Sequence, residues 1–287
     1  MPPTAKFLVS ILFAAGVAFP ATRSDLKVGN RTAIVYAPSG YRNPPLVISM
    51  HGMGIPAGYN QGMMQFERYA DTAKERFITV YPQGVDNRWD LGSNKDIDFI
   101  LAIVDSMSRR YGIDRNRVYA TGFSMGGMMS WYLSCKIPDK IAAIVPGCGY
   151  PLGGLSGCAT SRNVPALQIH GTADDFVKYS NLPAFLSTVR ARYGCPSTPV
   201  TTRPYPANKP NSKSFKEYWG PCEKNGSRSE LGFIHVTGMI HDWATPGKLN
   251  ANDDPAYKGK PFDIDGTHEA WNWMKNHSLN GPTGIAP

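Results

Sequence analysis

The stretch that most constrains this chain is Val118-Tyr-Ala-Thr-Gly-Phe-Ser-Met-Gly-Gly-Met-Met-Ser130. An apolar run, Val118 to Thr121, leads in as a buried strand, and helix-spaced Met128, Trp131, Tyr132 and Cys135 lead out. Between them, Gly122, Ser124 and Gly126 have the G-x-S-x-G spacing of a turn that lifts a serine above the end of a strand. Such a turn strains the serine backbone, so its neighbours must lack a Cβ. A helix opening beneath the hydroxyl favours negative charge developing there. The same letters also fit an ordinary Gly-rich strand-to-helix turn, so the strand and helix on either side, and an acid and a base elsewhere, have to separate the two.

The rest of the chain continues the strand-helix rhythm. Leu46 to Met50, Phe77 to Tyr81, Ile141 to Val145, Ala166 to Ile169 and Gly232 to Val236 read as strands. Met63 to Arg76, Asp96 to Tyr111, Asn181 to Tyr193 and His268 to Asn276 read as helices. Arg31 to Ala37 alternates as an antiparallel edge strand would. The pattern predicts an α/β fold: a mostly parallel central sheet with helices on both faces. Pro196 to Lys224 breaks the rhythm, as a disulfide-clasped excursion or with one poorly marked strand, and residues 246–267 are irregular.

The 287 residues suit one large α/β domain. Lys6 followed by the apolar run Phe7 to Phe19 and small residues reads as a secretory signal peptide, so residues 1–22 are set apart and 23–287 taken as a single domain. The apolar run is too short to span a bilayer comfortably, and no membrane or nucleic-acid partner is expected. Net charge is +8, but the basic residues are scattered and not interleaved with aromatics. The chain is read as a monomer. Five cysteines in an exported protein suggest two disulfides, with Cys195–Cys222 and Cys148–Cys158 the first choices and Cys135 left as a buried thiol. Neither C-x-x-C nor H-E-x-x-H occurs, so no metal and no cofactor is expected. Asn30, Asn225 and Asn276 head glycosylation sequons.

A serine needs a base, and the base needs an orienting acid. The acid expected after Ser124 is Asp174, just past the strand Ala166 to Ile169, with Asp175 its rival. For the base, His235 lies inside a strand, and His268 and His277 fall on the last helix as surface residues or caps. His241 stands in a loop four residues beyond its strand and ranks first, as general base toward Ser124 and general acid toward a leaving alcohol. An oxyanion would be met by the N–H of Met125 and, from the turn His51-Gly-Met-Gly54, that of Met53, while His51 itself reads as structural. Trp89 and Trp243, with Met53, are candidates to line an aromatic substrate pocket, and Trp131, Trp219, Trp271 and Trp273 read as core.

Met50-His-Gly-Met-Gly, Tyr81-Pro-Gln-Gly, Asp96-Ile-Asp-Phe-Ile, Tyr119-Ala-Thr-Gly-Phe-Ser-Met-Gly-Gly-Met-Met and His170-Gly-Thr-Ala-Asp-Asp-Phe-Val-Lys-Tyr179 together resemble secreted α/β-hydrolases. The group is that of feruloyl esterases, acetylxylan esterases and poly(3-hydroxybutyrate) depolymerases, including carbohydrate esterase family one. The likeness covers residues 28–194 strongly and the region of His241 weakly. It implies the α/β-hydrolase fold, Asp174 as the acid and Met53 as a donor. Gly238-Met-Ile-His-Asp-Trp243 stands where the group often has Gly-Gly-His-x-Trp, and Val177-Lys178 where it usually has Val-Pro. The expected function is a secreted serine esterase acting on ester-substituted polysaccharide or oligosaccharide, first of all feruloyl esters of xylan. Acetylxylan or polyester hydrolysis is the alternative, and a catalytically inactive binding protein is a further reading.

Overall fold

The computed structural model describes residues 21–70, 76–159, 161–224 and 227–284. One ten-stranded sheet dominates it. In chain order its strands are β1 (Thr22–Val28), β2 (Arg31–Ala37), β3 (Leu46–Met50), β4 (Ile78–Pro82), β5 (Val118–Phe123), β6 (Ala143–Gly147), β7 (Ala166–Gly171), β8 (Val200–Thr202), β9 (Phe215–Lys224) and β10 (Ser227–Val236). Spatial order is β1-β2-β4-β3-β5-β6-β7-β10-β9-β8. The six strands from β4 to β10 in that order pair parallel, and two antiparallel strands extend each edge. The helices are α1 (Ala57–Met64), α2 (Glu67–Ala70), α3 (Lys95–Tyr111), α4 (Met125–Lys136), α5 (Leu182–Tyr193) and α6 (Gly266–Met274).

Strand alternation divides the core between the two faces. Leu46, Ile48 and Met50 of β3, with Val118 and Ala120 of β5, pack against the buried stripes of α3, α4 and α5. Val47 and Tyr119, one residue out of step, face the other way toward α1 and α6. All five residues of β3, β4 and β6 are buried, as strands covered on both faces require. Helix ends follow local chemistry. The α3 stripe stops at Gly112, whose φ of 60° suits a glycine and whose N–H caps onto Ser108 O. Asp265 accepts from the N–H groups of Thr267 and His268 at the start of α6.

Several sequence expectations shift. Arg31–Ala37 is not an edge strand, because β1 pairs along its whole length from Thr22↔Ala37 to Val28↔Arg31. The helix expected over 63–76 is instead α1 and α2, broken at Gln65, which takes a left-handed φ of 48°, and residues 71–75 lie outside those described. Pro196 to Lys224 holds two strands, β8 and β9, clasped by the expected Cys195–Cys222 disulfide. The second disulfide joins Cys135 to Cys158, not Cys148 to Cys158. Cys135 ends α4 facing the loop after β6, where its carbonyl accepts from Ala159 N, whereas the Cys148 thiol is buried and donates to Asp242 O at 3.1 Å. His277 is not a surface residue: it is buried, with Nε2 2.6 Å from Glu230 Oε1. The expected leader lies outside the described residues up to residue 20, and its provisional end at residue 22 coincides with the first paired residue of β1. Of the sequon asparagines, Asn225 lies outside the described residues, Asn30 is exposed and Asn276 is half-buried. Among the described residues no helix is long and apolar enough to cross a membrane.

Candidate active site

Ser124 stands at the junction of β5 and α4 with φ 55° and ψ −118°, a conformation that a side-chain-bearing residue adopts only under constraint. The constraint is visible. A Cβ on Gly126 would lie 2.0 Å from Met50 O, and one on Gly122 2.4 Å from the same oxygen. The elbow is therefore pressed against the end of β3, and only glycine permits that approach. Ser124 N donates to Gly147 O at 2.8 Å, which ties the turn to the end of β6.

The loops after β7 and β10 bring the other two residues to the same sheet edge. His241 Nε2 lies 2.9 Å from Ser124 Oγ, and its Nδ1 lies 2.8 Å from Asp174 Oδ2. A carboxylate at Nδ1 fixes the proton there, so Nε2 is left to accept from the serine hydroxyl. Asp174 and Ser124 are buried, and the His241 side chain is partly open to solvent. Asp175, the rival acid, is exposed and turned out. His235 and His268 stand apart from this relay: His235 accepts from Tyr179 OH at 2.8 Å and faces Glu217, and His268 is exposed on α6.

Asp174 is heavily supported. Its Oδ1 accepts from the N–H groups of Phe176 at 3.0 Å and Val177 at 2.9 Å. Burial opposes its ionisation, but hydrogen bonds from His170 and His241 outweigh that and hold its carboxyl well below the usual carboxylate range. His170 is the residue sequence reasoning quoted without assigning a role. Its Nε2–H donates to Val177 O at 2.8 Å and lies 3.1 Å from Asp174 Oδ2, while Nδ1 accepts from Gln168 Nε2 at 3.3 Å. Gln168 in turn takes a bond from Trp131 Nε1 at 2.9 Å, so α4, β7 and the acid are joined by one chain of hydrogen bonds. The four-residue spacing of His170 and Asp174 across the end of β7 was the available signal.

Met125 opens α4, where the first N–H groups have no intrahelical acceptor. Met53 stands exposed in the turn after β3. Gly52 there is so close that a Cβ would sit 3.3 Å from Ser124 Cβ. His51 is structural: its ring is buried, Nε2 accepts from Gly84 N at 2.9 Å, and burial lowers its pKa. The structure does not place Trp89 and Trp243 on an open pocket. Trp89 is 2% exposed with Nε1 on His51 O, and Trp243 is fully buried with Nε1 on Thr267 Oγ1. Trp243 lies under the end of β6, its ring filling the space a side chain on Gly147 would need. The aromatic that sits open beside the relay is Phe176, 72% exposed and 4.9 Å from the His241 ring, while Phe123 lies 4.8 Å from the same ring.

One group of metal-capable side chains occurs among the described residues: Cys148, Asp174 and His241, whose ligand atoms lie within 4.8 Å of one another. All three are engaged elsewhere, the thiol with Asp242 O and the other two with each other, and burial pushes the thiol pKa up. Taken together, the geometry can pass a proton from a serine hydroxyl to an imidazole held by a buried carboxylate.

A family model described as phospholipase/carboxylesterase matches residues 43–192, a stretch that holds Ser124 and Asp174. The chain belongs to the phospholipase/carboxylesterase family. Among curated proteins, this family member is 40% identical over 233 residues to a bifunctional acetylxylan esterase/xylanase of Neocallimastix patriciarum, which covers 76% of the chain and 34% of that protein. It is 30% identical over 162 residues to feruloyl esterase B of Piromyces equi, covering 52% of the chain and 30% of that protein. The chain thus spans about a third of the length of each of these two relatives. Among solved structures, an acetyl xylan esterase from Aspergillus awamori superposes with a TM-score of 0.62 at 19% identity, over 79% of this chain and 96% of that one. That likeness concerns the fold, which is the α/β-hydrolase fold of this carboxylesterase family.

Proposed function

We propose that the chain is a secreted serine esterase that cleaves carboxylic esters on xylan or its oligosaccharides through an acyl-enzyme. The observation that carries the reading is the unbroken relay from Ser124 Oγ to His241 at 2.9 Å and from His241 to Asp174 at 2.8 Å. His241 Nε2 takes the hydroxyl proton as Ser124 attacks the ester carbonyl, and Asp174 stabilises the imidazolium that results. The N–H groups of Met53 and Met125 receive the oxyanion, and His241 returns the proton to the departing alcohol. Water, deprotonated by the same imidazole, then releases the acid. No cofactor enters this scheme.

The polysaccharide rests on the printed names of the relatives, and export rests on the N-terminal apolar run together with the two disulfides. For the acyl group, the sequence motifs favour feruloyl. The 40% identity to an acetylxylan esterase/xylanase favours acetyl as a second reading. A panel of methyl hydroxycinnamates and acetylated xylan, assayed with the protein and with Ser124→Ala, tests both. Turnover of at least one substrate class should fall by several orders of magnitude in the variant. Equal activity of the two proteins would end the proposal.

A further inference from the structure

We infer that the groove running from Phe176 to Leu152 is the subsite for the alcohol half of the ester, and that it takes pyranose residues of a xylan-type chain. The inference rests on the esterase reading above. When His241 protonates the leaving group, the alcohol oxygen must come within hydrogen-bond reach of Nε2, the nitrogen that lies 2.9 Å from Ser124 Oγ. The alcohol therefore departs along the imidazole. Of the two phenylalanine rings within 5 Å of that imidazole, Phe123 is half-buried at the end of β5, whereas Phe176 is 72% exposed. The open path lies over Phe176.

Phe176 cannot retreat into the core. Its own N–H and that of buried Val177 are both bound to Asp174 Oδ1, so the backbone that fixes the acid also holds the ring out. Beyond it lies a groove of about 570 Å³, within the size range of small-molecule sites. Tyr150 and Phe185 form its floor, with ring centroids 5.5 Å apart. The Tyr150 hydroxyl is spent on Lys178 O at 2.8 Å, so that ring offers carbon to the groove. Leu152, 70% exposed, is the opposite lip, on the loop tied to α4 by Cys135–Cys158. Lys178 and Asn181 stand exposed at the rim. A pyranose matches this arrangement: its C–H face lies on an aromatic ring while hydroxyls at its edge meet the polar rim.

The test compares kcat/KM for acetylated xylo-oligosaccharides and for p-nitrophenyl acetate, which share an acyl group and differ in the alcohol. In Phe176→Ala and in Leu152→Ala the sugar-to-nitrophenyl ratio should fall about tenfold, carried by KM. An unchanged ratio in both variants overturns the assignment. So does a shift in selectivity between methyl ferulate and methyl acetate, which would make the groove an acyl site. Xylotriose titrated into the Ser124→Ala protein should bind, and should lose that binding when Phe176→Ala is added. Equal binding by the two overturns it. If the unaltered protein cleaves no ester at all, the esterase reading fails, and the xylotriose titration still decides the groove.

Discussion

At the scale of single residues, the site depends on what is missing as much as on what is present. Gly126 sits where a methyl group would lie 2.0 Å from Met50 O. That contact is with backbone, which cannot swing aside as a side chain end could. Gly126→Ala should therefore displace the elbow from β3, costing about 1–3 kcal/mol as an overpacking change and moving Ser124 off the imidazole. Denaturant melts and ester turnover measured together check it: activity should fall far more than stability. Full activity in Gly126→Ala would mean that the close approach is not needed. The same scale explains why the tryptophans misled. Trp89 and Trp243 lie near the motifs in sequence, but each indole N–H is satisfied inside the protein, and burial of so large a ring outweighs exposure for a ligand. Phe176 is an aromatic next to the acid, yet nothing in its letter distinguishes an exposed ring from a core one. The hydrogen bonds to Asp174 fix its backbone at the rim.

At the scale of elements, most of what positions the site was legible, because apolar periodicity and the G-x-S-x-G turn are local signals. The strands that lead to Ser124 and Asp174 were placed to within two residues at each end, whereas β10, which leads to His241, starts five residues before its expected start. The edges were not. β1, β8 and β9 are partly exposed and polar, since an antiparallel edge need bury only part of one face. Disulfide pairing was half legible: Cys195–Cys222 flank one excursion, but Cys135 meets Cys158 through the geometry of α4, which spacing does not reveal. Each bridge closes a loop, with sequence separations of 23 and 27 residues, worth about 3 kcal/mol in the chain-entropy estimate. Removing Cys135–Cys158 by a double Ala substitution should lower stability by about that amount and loosen the Leu152 lip. Removing Cys195–Cys222 should lower stability alike and leave the sugar-to-nitrophenyl ratio unmoved. Urea melts and the two-substrate assay separate the cases.

At the scale of the whole molecule, acid stability follows from histidines the sheet has buried. His235, enclosed between β7, β9 and Tyr179, is pushed down to about 3 by burial, with the nearby Arg203 guanidinium adding to the effect. A histidine whose folded value is depressed takes up its proton more readily when unfolded. Its contribution is complete above the unfolded value of about 6.5 and is lost as pH falls toward 3. Glu217 beside it is raised, chiefly by burial, and acts in the opposite sense, recovering part of the loss as pH falls toward its unfolded value of about 4.5. Asp174, depressed, contributes fully above its unfolded value of about 3.8 and loses that contribution progressively as pH falls below it. Urea midpoints should therefore fall between pH 6.5 and 3, and His235→Gln should flatten that slope. An unchanged slope would show that the buried imidazole is not the source.

All of this organisation meets at one juxtaposition, a serine hydroxyl 2.9 Å from an imidazole, which on the proposed mechanism makes that serine nucleophilic. A fluorophosphonate probe reacts preferentially with such a serine, and peptide mass spectrometry locates the adduct. The account predicts a single adduct on Ser124, absent in Ser124→Ala and reduced by orders of magnitude in His241→Ala. An unlabelled protein, or a label carried by any other residue, would contradict it.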